Sequence, residues 1–250
     1  MENLFRRLLL SLSLAALLPL SGYAGALADL GAAGAPPAAP EVSAPDRAAA
    51  SGHYLKLEEL DLRAVPAAPA DGSREDREDF RILYDWQTKR TAAQCSAAKA
   101  EMSHNYEVFF GKMQLFGGPT PPAVKEFFKN VGDDSVAAHK YLKTAYNRER
   151  PFVRDAGIKP CLPRVAGLSY PSGHSAMSRL FALILADLLP QRRAELMAKA
   201  DESALFRVLG GVHHPADTAA GKALADALYK ELKNKPAFRS DLKAVKALLN

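Results

Sequence analysis

The chain has 250 residues, 48% hydrophobic and 24% charged, enough apolar material for a core and a composition that excludes a wholly disordered chain. Its 16 glycines and 17 prolines exclude a collagen-like repeat, and the length suits one domain or at most two. The net charge of +5 fits anionic ligands, but the basic residues are too scattered to mark a nucleic-acid protein, and no nucleic acid is expected as a structural partner.

Arg6 and Arg7 precede an apolar run from Leu8 to Leu20, followed by Ala24, Ala26 and Ala28, the order of a secretory signal peptide. The run is short for a bilayer span. Ala26-Leu27-Ala28 offers an A-x-A-like site, so cleavage is placed after Ala28; cuts after Ala24 or Ala26 and an uncleaved anchor are the alternatives. No later segment is apolar enough to cross a membrane. Residues 1–28 are therefore read as a signal peptide and the Ala/Pro-rich residues 29–50 as a flexible leader. Residues 51–250 are read as one helical domain without stable membrane insertion, exported in a bacterium to the periplasm or beyond. In an oxidising compartment, Cys95 and Cys161 most simply form a disulfide. The competing reading is two buried thiols; neither cysteine belongs to a metal-binding cluster.

Val65 to Gly72, rich in Pro and Ala, ends a short segment placed to dock on the body. The mixed charges Arg74 to Asp79 read as a solvated helix face, with Phe80, Leu83, Tyr84 and Trp86 as its buried anchors. Further helices are expected over Ala92–Phe110, Pro122–Asn130 and Ser135–Asn147. After His174, the residues Met177, Leu180, Phe181, Ile184 and Leu188 form one apolar helical stripe that Pro190 stops. Helices over Arg192–Leu209, Pro215–Lys233 and Ala237–Leu249 complete an all-α chain.

Three segments carry groups able to handle a phosphate. Lys143 and Arg150, seven positions apart before Pro151, would project from one face if two helical turns separated them. Lysine offers a point charge and arginine a fork matched to two oxygens. Pro171-Ser172-Gly173-His174 enters the stripe helix, where free N–H groups favour an anion and His174 could donate a proton; helix capping by Ser172 is the plainer reading. Arg207, His213 and Asp217 offer a cation, a nucleophilic imidazole and a carboxylate to orient it. Asp217 would also suit the first turn of a helix opening at Pro215, and His214 competes with His213.

In this order the segments resemble K-x6-R-P, P-S-G-H and S-R-x5-H-x3-D, the signature of the phosphatidic-acid-phosphatase-type-2 and vanadium haloperoxidase superfamily, with Phe206 where serine is usual. Within it the chain is most similar to class A bacterial non-specific acid phosphatases, from about Tyr54 to Ser240. The resemblance implies a single compact helical domain and hydrolysis of a broad range of phosphate monoesters through a phosphohistidine, without metal or cofactor. It implies that Lys143, Arg150, Ser172, Gly173 and Arg207 bind phosphate. By the same matching, His213 attacks, Asp217 orients it, and His174 protonates the leaving group. It also implies self-association into a homo-oligomer. A vanadate-dependent haloperoxidase, a soluble lipid-phosphate phosphatase and a non-catalytic phosphate binder are the rivals.

Overall fold

The structure, a computed structural model, describes residues 52–249; the expected signal peptide and leader lie outside the described residues. Nine α-helices lie among the described residues, joined by loops and 3-10 turns, and none of their elements is a strand. They are α1 Arg74–Lys89, α2 Ala92–Ala100, α3 Tyr106–Phe110, α4 Pro122–Tyr146, α5 Pro151–Arg154, α6 Gly173–Leu188, α7 Arg193–Leu209, α8 Pro215–Leu232 and α9 Pro236–Lys246. The all-α expectation holds.

Helix α6 is the axis of the packing, in contact with α4, α7 and α8. The expected stripe Met177, Leu180, Phe181, Ile184 and Leu188 is buried, and so are Ala176, Ala182, Leu183, Leu185 and Ala186. A helix apolar on nearly every side must be enclosed, not laid on a surface. A second apolar cluster around Leu83, Phe152, Leu162 and Phe206 packs between α1, α2 and α7. Phe206 thus serves as core. Cys95 and Cys161 are bonded across 66 residues of sequence beside this cluster. The docking segment is seated through Leu55, Leu57, Leu60, Leu62 and Val65, all buried.

Three helix expectations need correction. Gly132-Asp133-Asp134 does not break α4, which runs for 25 residues. Asp134 faces inward and accepts the N–H groups of Tyr54 and Leu55 at 3.0 and 2.9 Å, and Asp133 pairs with Lys129. Conversely, Ala92–Phe110 is not continuous: α2 ends at Ala100, and Asn105 opens α3 by accepting the Val108 N–H at 3.0 Å. The intervening Glu101–His104 loop overhangs the site described below.

The third correction concerns α1. Its inward positions are Asp76, Asp79 and Leu83, one stripe at three- and four-residue steps, and both aspartates are buried. The charge run is therefore not wholly a solvated face. Of the four expected anchors only Leu83 is fully buried; Phe80 and Trp86 are half-buried, and exposed Tyr84 donates its hydroxyl to Asp155 at 2.7 Å.

Replacing Cys95 and Cys161 with serine should lower stability by about 2–5 kcal/mol, because the cross-link restricts the unfolded chain. Denaturant unfolding of the double variant against the oxidised parent measures the difference.

Candidate active site

Helix α4 ends where Asn147 takes a left-handed conformation, φ 47°, tolerated by Asn. Lys143 and Arg150 therefore do not share two turns of one helix, as their spacing suggested. The chain turns back after Lys143, and the two cations meet from a helix end and the residue before α5. Ser172 caps α6, with Gly173 and His174 in its first turn. Arg207 closes α7, His213 lies in the loop beyond it, and Asp217 is in the first turn of α8.

Lys143, Arg150, Gly173, His174, Arg207 and His213 line one cavity of about 210 Å³. Asp217 is fully buried behind His213, its Oδ2 lying 3.2 Å from Nδ1. The other ring nitrogen, Nε2, lies 3.2 Å from Arg150 Nη1. A proton on Nδ1 facing Asp217 leaves the Nε2 lone pair toward the guanidinium and the cavity. Ser172 does not line the cavity: its Oγ accepts from the Ser175 N–H and hydroxyl at 3.4 and 3.1 Å, the capping role. His214 is also absent from the lining; its buried ring reaches Asp217 and, at 3.3 Å, Arg154.

The three cations lack carboxylate partners among the described residues. Lys143 donates to the carbonyls of Leu168 and Ser169 at 2.5 and 3.0 Å, and Arg150 donates to those of Gly167 and Val212 at 3.0 and 2.8 Å. Arg207 has one long contact to Met102 Sδ, 3.8 Å, and its buried Nε has no partner. Burial, with Arg150 nearby, pushes the Lys143 amine down to about 7, and burial pushes the Arg207 guanidinium down to about 10. Burial also holds His213 well below the ordinary histidine range, against the hydrogen bond to Asp217. His174 is likewise depressed by burial and then by Arg207, although its Nε2 lies 3.0 Å from the carbonyls of Glu101 and Met102. A cavity with an unpaired donor and mutually repelling cations suits an oxyanion.

Sequence reasoning missed two groups. His104, Met102 and His139 also line the cavity. His139 is one turn before Lys143 on α4, a spacing that could have revealed it. A Cβ on Gly173 would come within 2.8 Å of its ring, so a side chain there must displace it. Burial and Lys143 push His139 down to about 3.

The second group lies behind the cavity. Buried Arg148 donates to Asp217 Oδ1 at 2.9 Å, Asp76 at 2.8 Å and Asp79 at 2.9 Å. Asp76 also takes Arg154, and Asp79 accepts the Ala216 N–H at 2.9 Å in the first turn of α8. On its other oxygen Asp217 receives the His214 N–H at 2.8 Å and the Ser169 hydroxyl. Burial opposes its charge, but the surrounding histidines hold it well below the usual carboxylate range.

Residues 116–230, which include Lys143, Arg150, Arg207, His174 and His213, match the model of the PAP2 superfamily. Over this segment the chain is similar to the PAP2 superfamily. A non-specific acid phosphatase of Salmonella typhi is 36% identical over 121 residues, 46% of each chain. An acid phosphatase of Zymomonas mobilis is 34% identical over 105 residues, 40% of this chain and 39% of that one. The chain thus matches about half or less of the length of these curated relatives. A solved structure, the transmembrane PAP2-type phosphatidylglycerolphosphate phosphatase from Bacillus subtilis, is 19% identical with a TM-score of 0.49, covering 65% of this chain and 87% of its own. No helix among the described residues of the present chain is long and apolar enough to cross a membrane.

Replacing Arg148 with methionine leaves Asp76, Asp79 and Asp217 without their shared cation and should cost about 3–5 kcal/mol. Chemical denaturation checks this, and restoration by Arg148→Lys should be incomplete because one ammonium cannot reproduce the fork.

Proposed function

We propose that the chain is an exported, metal-independent acid phosphatase that hydrolyses a broad range of phosphate monoesters through a phosphohistidine. One observation carries the reading: buried Arg150 and Arg207 and half-buried Lys143, without carboxylate partners among the described residues, surround a cavity faced by the Nε2 of an aspartate-oriented imidazole. The acid phosphatase relatives support it, and the disulfide fits export.

Lys143, Arg150 and Arg207, with the N–H groups at the start of α6, hold the phosphoryl oxygens and stabilise their charge. The His213 Nε2 lone pair attacks phosphorus and the P–O bond to the alcohol breaks. His174 gives the departing oxygen its proton. The ring gains that proton when the bound dianion offsets the repulsion from Arg207, while the Glu101 and Met102 carbonyls favour an imidazolium. In the second half, His174 takes a proton from water as its oxygen bonds to phosphorus. The P–N bond breaks, and inorganic phosphate leaves with His213 neutral again. Throughout, Asp217 fixes the His213 tautomer and balances the charge on the phosphorylated ring.

Replacing His213 with alanine should lower kcat for an aryl phosphate about a thousandfold or more while the fold persists. Acid-quenched parent enzyme should carry an acid-labile phosphate on His213; full activity in the variant would defeat the reading.

The depressed His213 stays a neutral nucleophile into acid pH, whereas Lys143 loses its charge as pH rises through about 7. The kcat/KM profile, which reports the free enzyme, should fall on the alkaline side from near that value. Lys143→Arg, charged at every accessible pH, should carry the fall upward. An unmoved limb would exclude Lys143 as its source.

A further inference from the structure

Beside the phosphate cavity lies a groove of about 630 Å³, and His104 lines both. Phe128 and Val136 of α4 and Met177 and Phe181 of α6 form its apolar lining. His174 and Met177 are three residues apart in α6, so neighbouring positions of one helix serve the cavity and the groove.

The charges around the groove differ from those of the cavity. Lys125 and Lys129 are paired with Glu107 and Asp133, at 3.2 and 3.0 Å, and Glu126 tips the rim toward negative charge. A second phosphate would find no free cation there among the described residues. An uncharged apolar body would find an apolar surface.

Gly132 supplies an independent observation. It lies inside the 25-residue α4, where glycine is less stable than alanine. Packing does not demand it: an added Cβ would meet Met177 Cε at 3.5 Å and Phe181 Cζ at 3.7 Å, ordinary contact distances. The missing side chain keeps the groove open above those two residues.

We infer that this groove is the leaving-group subsite and selects monoesters of uncharged apolar alcohols over those whose alcohol carries a further phosphate. The inference rests on the phosphatase reading above. Ethyl, butyl and hexyl phosphate have leaving groups of similar basicity, so differences among them report contact with the apolar body. Phosphate release should show kcat/KM rising roughly tenfold from ethyl to hexyl phosphate, and hexane-1,6-diyl bisphosphate should lose that gain. Gly132→Leu, which fills the groove, should flatten the series mainly through KM; Val136→Asp is the second test should the first variant not fold. A flat series in the parent, equal use of the bisphosphate, or a slope unchanged in a folded variant would overturn the subsite while leaving hydrolysis intact. Absence of turnover with every ester would instead overturn the phosphatase reading and the subsite with it.

Discussion

Arg148 is surrounded by protein, and three carboxylates from two distant parts of the chain converge on its guanidinium. Any one of those carboxylates, buried alone, would have to take a proton or remain in water. The shared cation lets Asp217 stay ionised at the base of α8 while Asp76 and Asp79 draw the start of α1 against the same place. Asp79 binds the first turn of α8 as well, so the network fixes the backbone that carries Asp217 and, through it, the ring of His213. Without this arrangement the imidazole would have no reason to keep one tautomer.

The two sides of His213 are electrostatic opposites. Behind it, carboxylates outnumber the arginines they touch; in front, Lys143, Arg150 and Arg207 meet carbonyls, a sulfur and the His213 ring itself, and no carboxylate among the described residues. The ring sits at the boundary, with Nδ1 toward the acidic side and Nε2 toward the basic one. The helices matter because they end there: α4 and α7 deliver cations at their last turns, α6 begins at the cavity with Gly173 and His174, and the first turn of α8 places Asp217 behind His213.

Much of the front side was legible in the sequence. Lys143, Arg150, Gly173, His174, Arg207 and His213 fall in short motifs, and the structure brings them to one cavity. The rear was hidden for a physical reason: Arg74 to Asp79 has the alternating signs of an exposed helix, and nothing local reveals that Asp76 and Asp79 face a buried arginine some seventy residues away. The same limit applies to Glu101–His104, read as helix interior, where a break produced by Asn105 capping α3 turns the loop over His174. Ser172 shows the converse, since its capping role was readable from position alone.

The unpaired donors of Arg207 and the crowding of three positive groups exact a cost on the native state that the unfolded chain does not bear. An oxyanion binding only the native state recovers part of it, so occupancy and resistance to heat rise together. In the proposed reaction, the orthophosphate freed at the end of each cycle would present the same oxygens to the same clamp. A pocket relieved by its own product would give that product up slowly, and under that proposal the strength of the grip that speeds bond breaking would also set a ceiling on turnover.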